Sequence, residues 1–296
     1  MPFLGELSAL LTAMLWSVSA MVFTSATKRV GSFQVNITRL ILAVVYLTVL
    51  IIVMDFNINL SLTQILNLSI SGVIGLALGD TFLFKAFQEI GARISMLIMS
   101  LAPAFAAMLA YFVLGETLSL AGVLGMIVTV FGVSVVVLDK GANPSEKVLI
   151  TTSGIIYAFL GAVGQGIGLI FAKMAFHEGE INGFVATEIR IVSSLVLLLP
   201  LAFLTKRYKN PIRMYHQDKK AFWLTGLGSI FGPFLGISFS LIAIAYTKVG
   251  IAATIMAIVP ILMLPLVRFV YKEKLSWRAI IGAFIAVVGV AVLFLR

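Results

Sequence analysis

The chain has 296 residues, of which 61% are hydrophobic and only 11% are charged, and its mean hydropathy is +1.13. Soluble domains are about half apolar and a quarter charged, so this composition excludes an ordinary soluble protein and predicts a polytopic membrane protein. The chain contains no cysteine, which excludes disulfides, a CxxC redox pair and a cysteine-ligated zinc site.

Ten stretches have the roughly 20 mostly apolar residues that a membrane-crossing helix requires. In chain order, these spans 1 to 10 cover residues 4–26, 34–54, 66–88, 93–114, 119–138, 151–174, 184–204, 221–246, 250–271 and 277–295. The first has no basic segment before it and no small-residue cleavage site, so we expect a retained helix and not a signal peptide. The predicted fold is an all-α polytopic membrane protein of ten transmembrane helices.

An internal repeat organises these spans. Residues 75–138 align with residues 232–295 at a constant offset of 157, with 21 identities in 64 positions. The repeat predicts two five-helix units, residues 1–139 and 150–296. Because five is odd, the second unit enters the bilayer upside down relative to the first, which is the inverted-repeat layout of secondary transporters.

Basic residues are distributed unevenly between the two sides of the predicted membrane. Of the 21 lysines and arginines, 17 flank the connections that follow odd-numbered spans and four lie on the opposite side. The positive-inside rule therefore places those connections in the cytoplasm and both termini outside. Contact with anionic lipid headgroups also accounts for the net charge of +9 without a nucleic-acid partner.

Asp80 is the most informative charged residue, because it lies deep within span 3. A buried charge costs about 2.5–3.5 kcal/mol on insertion scales and tends to face a bundle interior or water. Its repeat equivalent is Ile237, so the acid is not shared scaffolding, and its chemistry suits proton coupling or binding of an amine. The alternative is a simple ion pair with a nearby lysine or arginine, although Lys85 lies on another face of the same helix. We expect Asp80 to border a central cavity formed with spans 1, 4, 6 and 9.

Polar and aromatic residues near the middle of several spans are further candidates for the lining of that cavity. Trp16 and Gln165 are repeat equivalents, and a tryptophan far from the interface is expected to face the protein interior. Gln165 could instead hydrogen-bond two helices together. The small hydroxyls of Ser19, Ser100 and Ser238 are weaker candidates, since serine often bonds to its own helix.

Glycines and prolines predict where helices pack closely or bend. Gly164 and Gly168 have the four-residue spacing that brings helices together in lipid. They also lie in a segment of span 6 with four glycines in eight residues, which predicts a hinge as the alternative. Pro103 and Pro260 occupy equivalent positions in spans 4 and 9, where a kink could form part of a gate.

Catalytic groups are not apparent in the sequence. The two histidines, His177 and His216, fall in connections on opposite sides, so they cannot form a shared metal site or a nucleophile–base pair. Glu188 and Arg190 are expected in the first turn of span 7 near the outer surface, as a gate pair or as interfacial anchors. An intramembrane lipid-modifying enzyme and a passive channel remain alternative functions.

The motifs together resemble a known family. These are two five-helix units, an arginine near the start of each second helix (Arg39, Arg190), a proline in each fourth helix, and the segments Gly-Glu-Thr-Leu-Ser (115–119) and Lys-Glu-Lys-Leu-Ser (272–276) before glycine-rich fifth helices. The pattern resembles EamA-type members of the drug/metabolite transporter superfamily.

This resemblance implies a secondary transporter in the cell membrane that moves amino acids, related metabolites or drugs by alternating access, as an exporter or exchanger. It implies a small-molecule substrate and no cofactor, with protons as a candidate coupling ion. Many relatives look as though their termini face the cytoplasm, whereas the charge distribution here predicts the reverse.

Overall fold

A computed structural model of the protein describes residues 3–138, 151–205, 208–271 and 276–294. All regular secondary structure in these ranges is helical. The α-helices are α1 (Leu4–Val30), α2 (Ser32–Val53), α3 (Leu62–Ser71), α4 (Asp80–Met99), α5 (Ala102–Leu114), α6 (Leu120–Leu138), α7 (Thr152–His177), α8 (Gly183–Leu204), α9 (Pro211–Gln217), α10 (Lys219–Ser229), α11 (Leu235–Tyr246), α12 (Val249–Met256), α13 (Val259–Tyr271) and α14 (Trp277–Phe294). Two π-helical segments, Gly72–Gly79 and Ile230–Phe234, join α3 to α4 and α10 to α11.

Helix ends follow local sequence signals. Gly31 has a φ of 89° and separates α1 from α2, a backbone conformation that favours glycine. Ser61 and Gln64 form a capping box at the start of α3, which satisfies two of the free amide groups there. Gly91 has a φ of 74° and divides α4 into two parts, at the boundary predicted between spans 3 and 4.

Seven helices are long and apolar enough to cross a membrane. They cover Leu4–Val30, Ser32–Val53, Leu62–Met99, Thr152–His177, Gly183–Leu204, Lys219–Tyr246 and Val249–Leu266. Three shorter apolar helices, Ala102–Leu114, Leu120–Val135 and Ile280–Val292, accompany them in the described part of the chain. Large apolar side chains such as Phe112 and Val196 face outward, as expected for a surface that contacts lipid.

The order and lengths of the helices repeat along the chain. Helices α2 and α8 have 22 residues each. Helices α5 and α13 have 13 residues each and begin 157 residues apart, at Ala102 and Val259. The two π-helical segments also fall on equivalent positions of the alignment. Because π-helical turns are uncommon, the matched interruptions are a property of the duplicated unit.

Helices α6 and α14 pack through glycines at equivalent positions. A Cβ atom on Gly132 would lie 2.7 Å from the carbonyl oxygen of Gly282, and a Cβ atom on Gly289 would lie 2.9 Å from that of Gly125. Gly282 and Gly289 are the counterparts of Gly125 and Gly132. The contact is therefore reciprocal, as at an interface with two-fold symmetry.

The π-helical segments show the same reciprocity. A Cβ atom on Gly75 would lie 3.6 Å from Cα of Gly168 in α7, and one on Gly232 would lie 3.5 Å from Cβ of Ser19 in α1. Gly232 is the counterpart of Gly75, and Ser19 is the counterpart of Gly168 at the offset of 149 that relates Trp16 to Gln165. Each unit thus places its first helix against the π-helical segment of the other unit.

Glu116 joins the two units at the C-terminal side of α5. Its carboxylate accepts a hydrogen bond of 2.9 Å from the backbone amide of Val249, the first residue of α12, where free amide groups need acceptors. Its repeat counterpart, Glu273, lies with residues 272–275 outside the described part of the chain, as does the connection 139–150.

Candidate functional site

A cavity of about 70 Å³ lies where helices of the two units meet. This volume exceeds that needed for a single buried water. Its lining includes residues from α1, α2, α4, α7, α8 and α11 and from both π-helical segments, among them Trp16, Phe23, Arg39, Asp80, Gln165 and Arg190. A smaller cavity of about 30 Å³ shares Trp16 and Gln165 with it and extends to Ala253 and Met256 of α12. The structure thus brings the sequence-predicted Trp16, Asp80 and Gln165 together.

Asp80 lies at the edge of the cavity and forms an ion pair with Arg39. The Arg39 Nη2 group donates to Asp80 Oδ2, and Arg39 Nε donates to Asn36 Oδ1 at 3.0 Å. The guanidinium lies 4.3 Å from the ring centre of Phe84 and 5.5 Å from that of Phe23, within the range of cation–π attraction. The sequence offered two interpretations of Asp80, a cavity-lining acid and a member of an ion pair. The structure shows both features at once.

Arg190 lines the same cavity. Only 1% of its surface is exposed, and its Nε atom has no hydrogen-bond partner. Among the described residues, the charged group that attracts it electrostatically is Asp80. The expectation that Arg190 lies in the first turn of span 7 is wrong, since α8 begins at Gly183 and Arg190 follows about two turns later.

The two arginines occupy matching positions. Arg39 and Arg190 each stand seven residues after the first residue of their helices, Ser32 in α2 and Gly183 in α8. Both side chains reach the cavity. A close approach of the backbones helps to place Arg190, because a Cβ atom on Gly72 would lie 2.8 Å from Cα of Arg190.

Trp16 and Gln165 line both cavities. A Cβ atom on Gly236 would lie 2.5 Å from Nε1 of Trp16, so the glycine leaves room for the indole. Gln165 makes no side-chain hydrogen bond to the described residues and is partly buried. Its amide can therefore donate to and accept from a ligand or water.

The three predicted serines occupy different surroundings. Each donates to a carbonyl oxygen three or four residues earlier in the chain, Ser19 at 3.2 Å, Ser100 at 2.5 Å and Ser238 at 2.6 Å. Ser19 lines the larger cavity and Ser100 the smaller one. Ser238 is fully buried and lies away from both linings, whereas Ser240 contributes to the larger one.

The predicted hinge and gate residues lie around these cavities. Pro103 and Pro260 are the second residues of α5 and α13, directly after a turn that interrupts each predicted fourth helix. Pro103 also lines the smaller cavity. Gly164 and Gly168 lie in α7, which is an unbroken helix there, and both contact the π-helical segment Gly72–Gly79.

Comparison with known proteins identifies the family. The family model of the EamA-like transporter family matches residues 3–138 and 152–295. The chain belongs to the EamA-like transporter family. The resemblance drawn from the sequence motifs is thereby confirmed, and the family is one of membrane transporters and not of enzymes.

A solved structure described as "Crystal structure of protein" is similar to this EamA-family chain throughout. The alignment covers 100% of this chain and 98% of the other, with a TM-score of 0.77 and 18% sequence identity. At this identity the likeness concerns the fold alone. No curated protein matches the chain.

Sequence reasoning did not select Arg39 and Arg190 as site residues of this EamA-family protein. Arg39 entered as a motif residue near the start of a helix, and Arg190 was in addition interpreted, with Glu188, as a gate pair or an interfacial anchor. The sequence did contain a signal for them, since Arg39 and Arg190 occupy equivalent positions in the two second helices. A charged residue inside a membrane helix is costly in lipid, so both have to face protein or water.

Proposed function

We propose that the chain is a secondary transporter that moves small metabolites, such as amino acids, related compounds or drugs, across the cell membrane by alternating access, as an exporter or exchanger. The observation that carries this proposal is the cavity between the two units, which contains two arginines and one aspartate. Alternating access requires such a site at the interface between repeats. Family membership favours transport over the enzymatic alternative.

The proposed arrangement in the membrane is ten helices. Gly91 separates a first crossing from a second that continues through α5, so residues 92–114 together are long enough for a hydrocarbon core of about 30 Å. In the same way, α12 and α13 follow each other after a turn at residues 257–258. Helices α6 and α14 then complete the two units, residues 1–139 and 150–296.

The two units are proposed to be inverted relative to each other. The reciprocal contacts between α6 and α14 support a two-fold axis, since Gly132 meets Gly282 while Gly289 meets Gly125. In parallel helices related by two-fold symmetry, contacts join residues at similar positions. Contacts seven residues apart in the repeat alignment favour an antiparallel pair, as an inverted repeat requires.

Asp80 is proposed as the coupling residue, with protons as the coupling ion. The Arg39–Asp80 pair exists only while the carboxylate is ionised, so protonation would release Arg39 and change the charge of the cavity. Only the first unit contains this acid, because its equivalent is Ile237.

Transport in reconstituted proteoliposomes tests the proposed function. Purified protein should give saturable uptake and efflux of at least one solute from a panel of amino acids and small metabolites. An imposed pH gradient should accelerate flux in one direction if protons are coupled. Non-saturable flux would indicate a channel, and absence of flux for the whole panel would contradict a metabolite transporter.

The orientation is a separate prediction. Removing the buried Arg39 and Arg190 from the count leaves 16 basic residues on one side and three on the other, so the positive-inside rule still places both termini outside. The native chain has no cysteine, so single-cysteine variants need no further change. In intact cells, a cysteine at the exposed Glu180 should react with a membrane-impermeant thiol reagent, and one at the exposed His216 should react only after permeabilisation. The reverse labelling pattern would invert the assignment.

Gln165 and Trp16 are predicted to act on solute affinity. Gln165→Ala should raise KM about threefold to tenfold, the effect of one lost hydrogen bond, because the amide faces the cavity. The thermal midpoint of the purified protein should stay unchanged, since Gln165 has no side-chain partner among the described residues. Trp16→Ala should raise KM further and lower the midpoint slightly. An unchanged KM in both variants would remove these residues from the binding site.

A further inference from the structure

Arg190 is a buried cation whose surroundings lack the partners that its counterpart has. Arg39 is held by Asn36, Asp80, Phe23 and Phe84. At the repeat positions equivalent to these four partners, the chain carries different residues. The offset of 157 gives Ile237 for Asp80 and Leu241 for Phe84. The offset of Arg39 to Arg190 gives Thr187 for Asn36, and that of Trp16 to Gln165 gives Ala172 for Phe23.

None of the replacements can serve a guanidinium in the same way. Ile237 and Leu241 are aliphatic, and Ala172 has no ring. Thr187 donates its hydroxyl to the carbonyl oxygen of Gly183 at 2.8 Å. The Nε atom of Arg190 is consequently left without a partner, whereas Nε of Arg39 has one.

A buried guanidinium whose Nε has no hydrogen-bond partner is energetically unfavourable, because the attraction of Asp80 does not replace the hydrogen bonds to water that the group has lost. Such groups inside membrane proteins commonly mark the path of a solute or ion. Here the cavity lies beside the charge and supplies space for the missing partner.

We propose that Arg190 binds the carboxylate of the transported solute, which takes the place that Asp80 occupies beside Arg39. A guanidinium presents two parallel N–H groups that match the two oxygens of a carboxylate. The inference rests on the proposed transport function and adds the chemical class of the solute.

The cavity also restricts the rest of the solute. Its ionisable lining residues are Arg39, Asp80 and Arg190, which sum to one positive charge when all are ionised. A single carboxylate therefore balances the site. Most of the remaining wall is apolar, with Trp16 and Met96 among its residues, and Gln165 adds an amide, so the body of the solute is mainly apolar or aromatic with room for one hydrogen bond.

Ligand binding to the purified protein tests the proposal. The probes are three acids, each paired with the amide that lacks its carboxylate charge: isocaproate and isocaproamide, phenylacetate and phenylacetamide, leucine and leucinamide. Binding is measured from the ligand-dependent rise of the thermal midpoint, which follows the ratio of ligand concentration to Kd. At least one acid should bind about tenfold to hundredfold more tightly than its amide, the range expected for charge-assisted hydrogen bonds.

Variants at Arg190 separate recognition from structural support. Arg190→Gln should remove the preference for acids over amides. Without ligand its thermal midpoint should equal or exceed that of the unchanged protein, because an unpaired buried charge is gone. A purely structural arginine would give a lower midpoint with the acid preference intact. Arg213→Gln, the same change at an exposed position, is the control and should alter neither property.

Ile237→Asp supplies the counter-ion from within the protein. The new carboxylate occupies the position equivalent to Asp80, so it should pair with Arg190 and weaken binding of acids by about tenfold or more, while amides bind as before. Acid binding unchanged in both Ile237→Asp and Arg190→Gln would overturn the proposal.

The outcome for the carboxylate site is distinct from that for the transport function. Saturable transport of neutral or cationic solutes, with no binding preference for acids, would overturn the carboxylate site and leave the transporter intact. Acid binding that depends on Arg190, with no flux of any bound acid in proteoliposomes, would support the site and contradict the transporter.

Discussion

Asp80→Asn is expected to abolish coupled transport and to destabilise the purified protein. The substitution leaves Arg39 buried without a counter-ion, in a cavity that a second buried arginine also lines. Removing one partner of a buried ion pair costs about 3–5 kcal/mol. Asparagine can still accept a hydrogen bond from Arg39, so the lower end of that range is expected. Efflux with and without a pH gradient and the thermal midpoint measure the two effects.

A double substitution separates the two effects. Asp80→Asn combined with Arg39→Gln removes both charges. The thermal midpoint of this double variant should therefore lie well above that of either single variant and close to that of the unchanged protein. Transport should stay abolished, because the proton-accepting group is still absent. If Asp80→Asn transported with an unchanged rate and pH dependence, the coupling role would be wrong and the pair would be structural.

Asp218→Asn provides a matched control at the surface. Asp218 also pairs with an arginine, Arg29, at 3.0 Å. The hydrogen bond from the amide of Ala221, followed by Arg29, holds the pKa of Asp218 below its usual value. The ionised Asp218 carboxylate therefore adds its full contribution to folding stability above the usual carboxyl pKa. This contribution is lost as the pH falls through the lowered pKa of the folded protein. Exposed ion pairs contribute little to folding stability. When measured near neutral pH, Asp218→Asn should therefore transport normally, and its thermal midpoint should be unchanged.

Helix content and the asymmetry of Asp80 were predictable from sequence, because hydrophobic length and a repeat alignment carry that information. The ion-pair partner of Asp80 was not predictable from sequence. Periodicity fixes the face of a helix on which a residue lies, and this excluded Lys85, but it does not say which other helix faces it. Arg39 is 41 residues away in sequence, and its contact with Asp80 depends on how α2 and α4 pack.

The interruptions of the helices were predictable only in part. The break at Gly91 falls in the predicted gap between spans 3 and 4, and Pro103 and Pro260 lie beside turns in the helices where kinks were predicted. The π-helical segments were not anticipated, since a shift in backbone hydrogen bonding depends on the helices packed around it. For Gly164 and Gly168 the sequence left close packing and a hinge as alternatives, and the continuous helix α7 with its close contacts favours packing.

Alanine substitutions along α7 are expected to separate close packing from flexibility. A Cβ atom on Gly164 would lie 2.9 Å from Cα of Gly79, and one on Gly168 would lie 3.0 Å from Cα of Gly75. Both neighbours are backbone atoms that cannot rotate away. Gly164→Ala and Gly168→Ala should each lower stability by about 1–3 kcal/mol, the usual cost of overpacking.

Gly161→Ala is the matched control in the same helix. Its Cβ atom would lie no closer than 3.3 Å to the carbonyl oxygen of Gly79, and alanine favours the helix by about 1 kcal/mol over glycine. Its thermal midpoint should therefore stay the same or rise, with transport preserved. The midpoints and initial efflux rates of all three variants give the comparison.

The contacts favour a loss of stability and transport together in Gly164→Ala and Gly168→Ala. Pushing α7 away from the π-helical segment moves Gln165 on one side of the cavity and strains the hydrogen bond of 2.5 Å from Ser71 Oγ to the carbonyl oxygen of Gly168. A hinge would behave differently, because alanine would stiffen it without unfavourable contacts in the resting protein. Loss of transport at an unchanged midpoint would thus restore the hinge prediction for Gly164 and Gly168 and contradict the packing role argued from these distances.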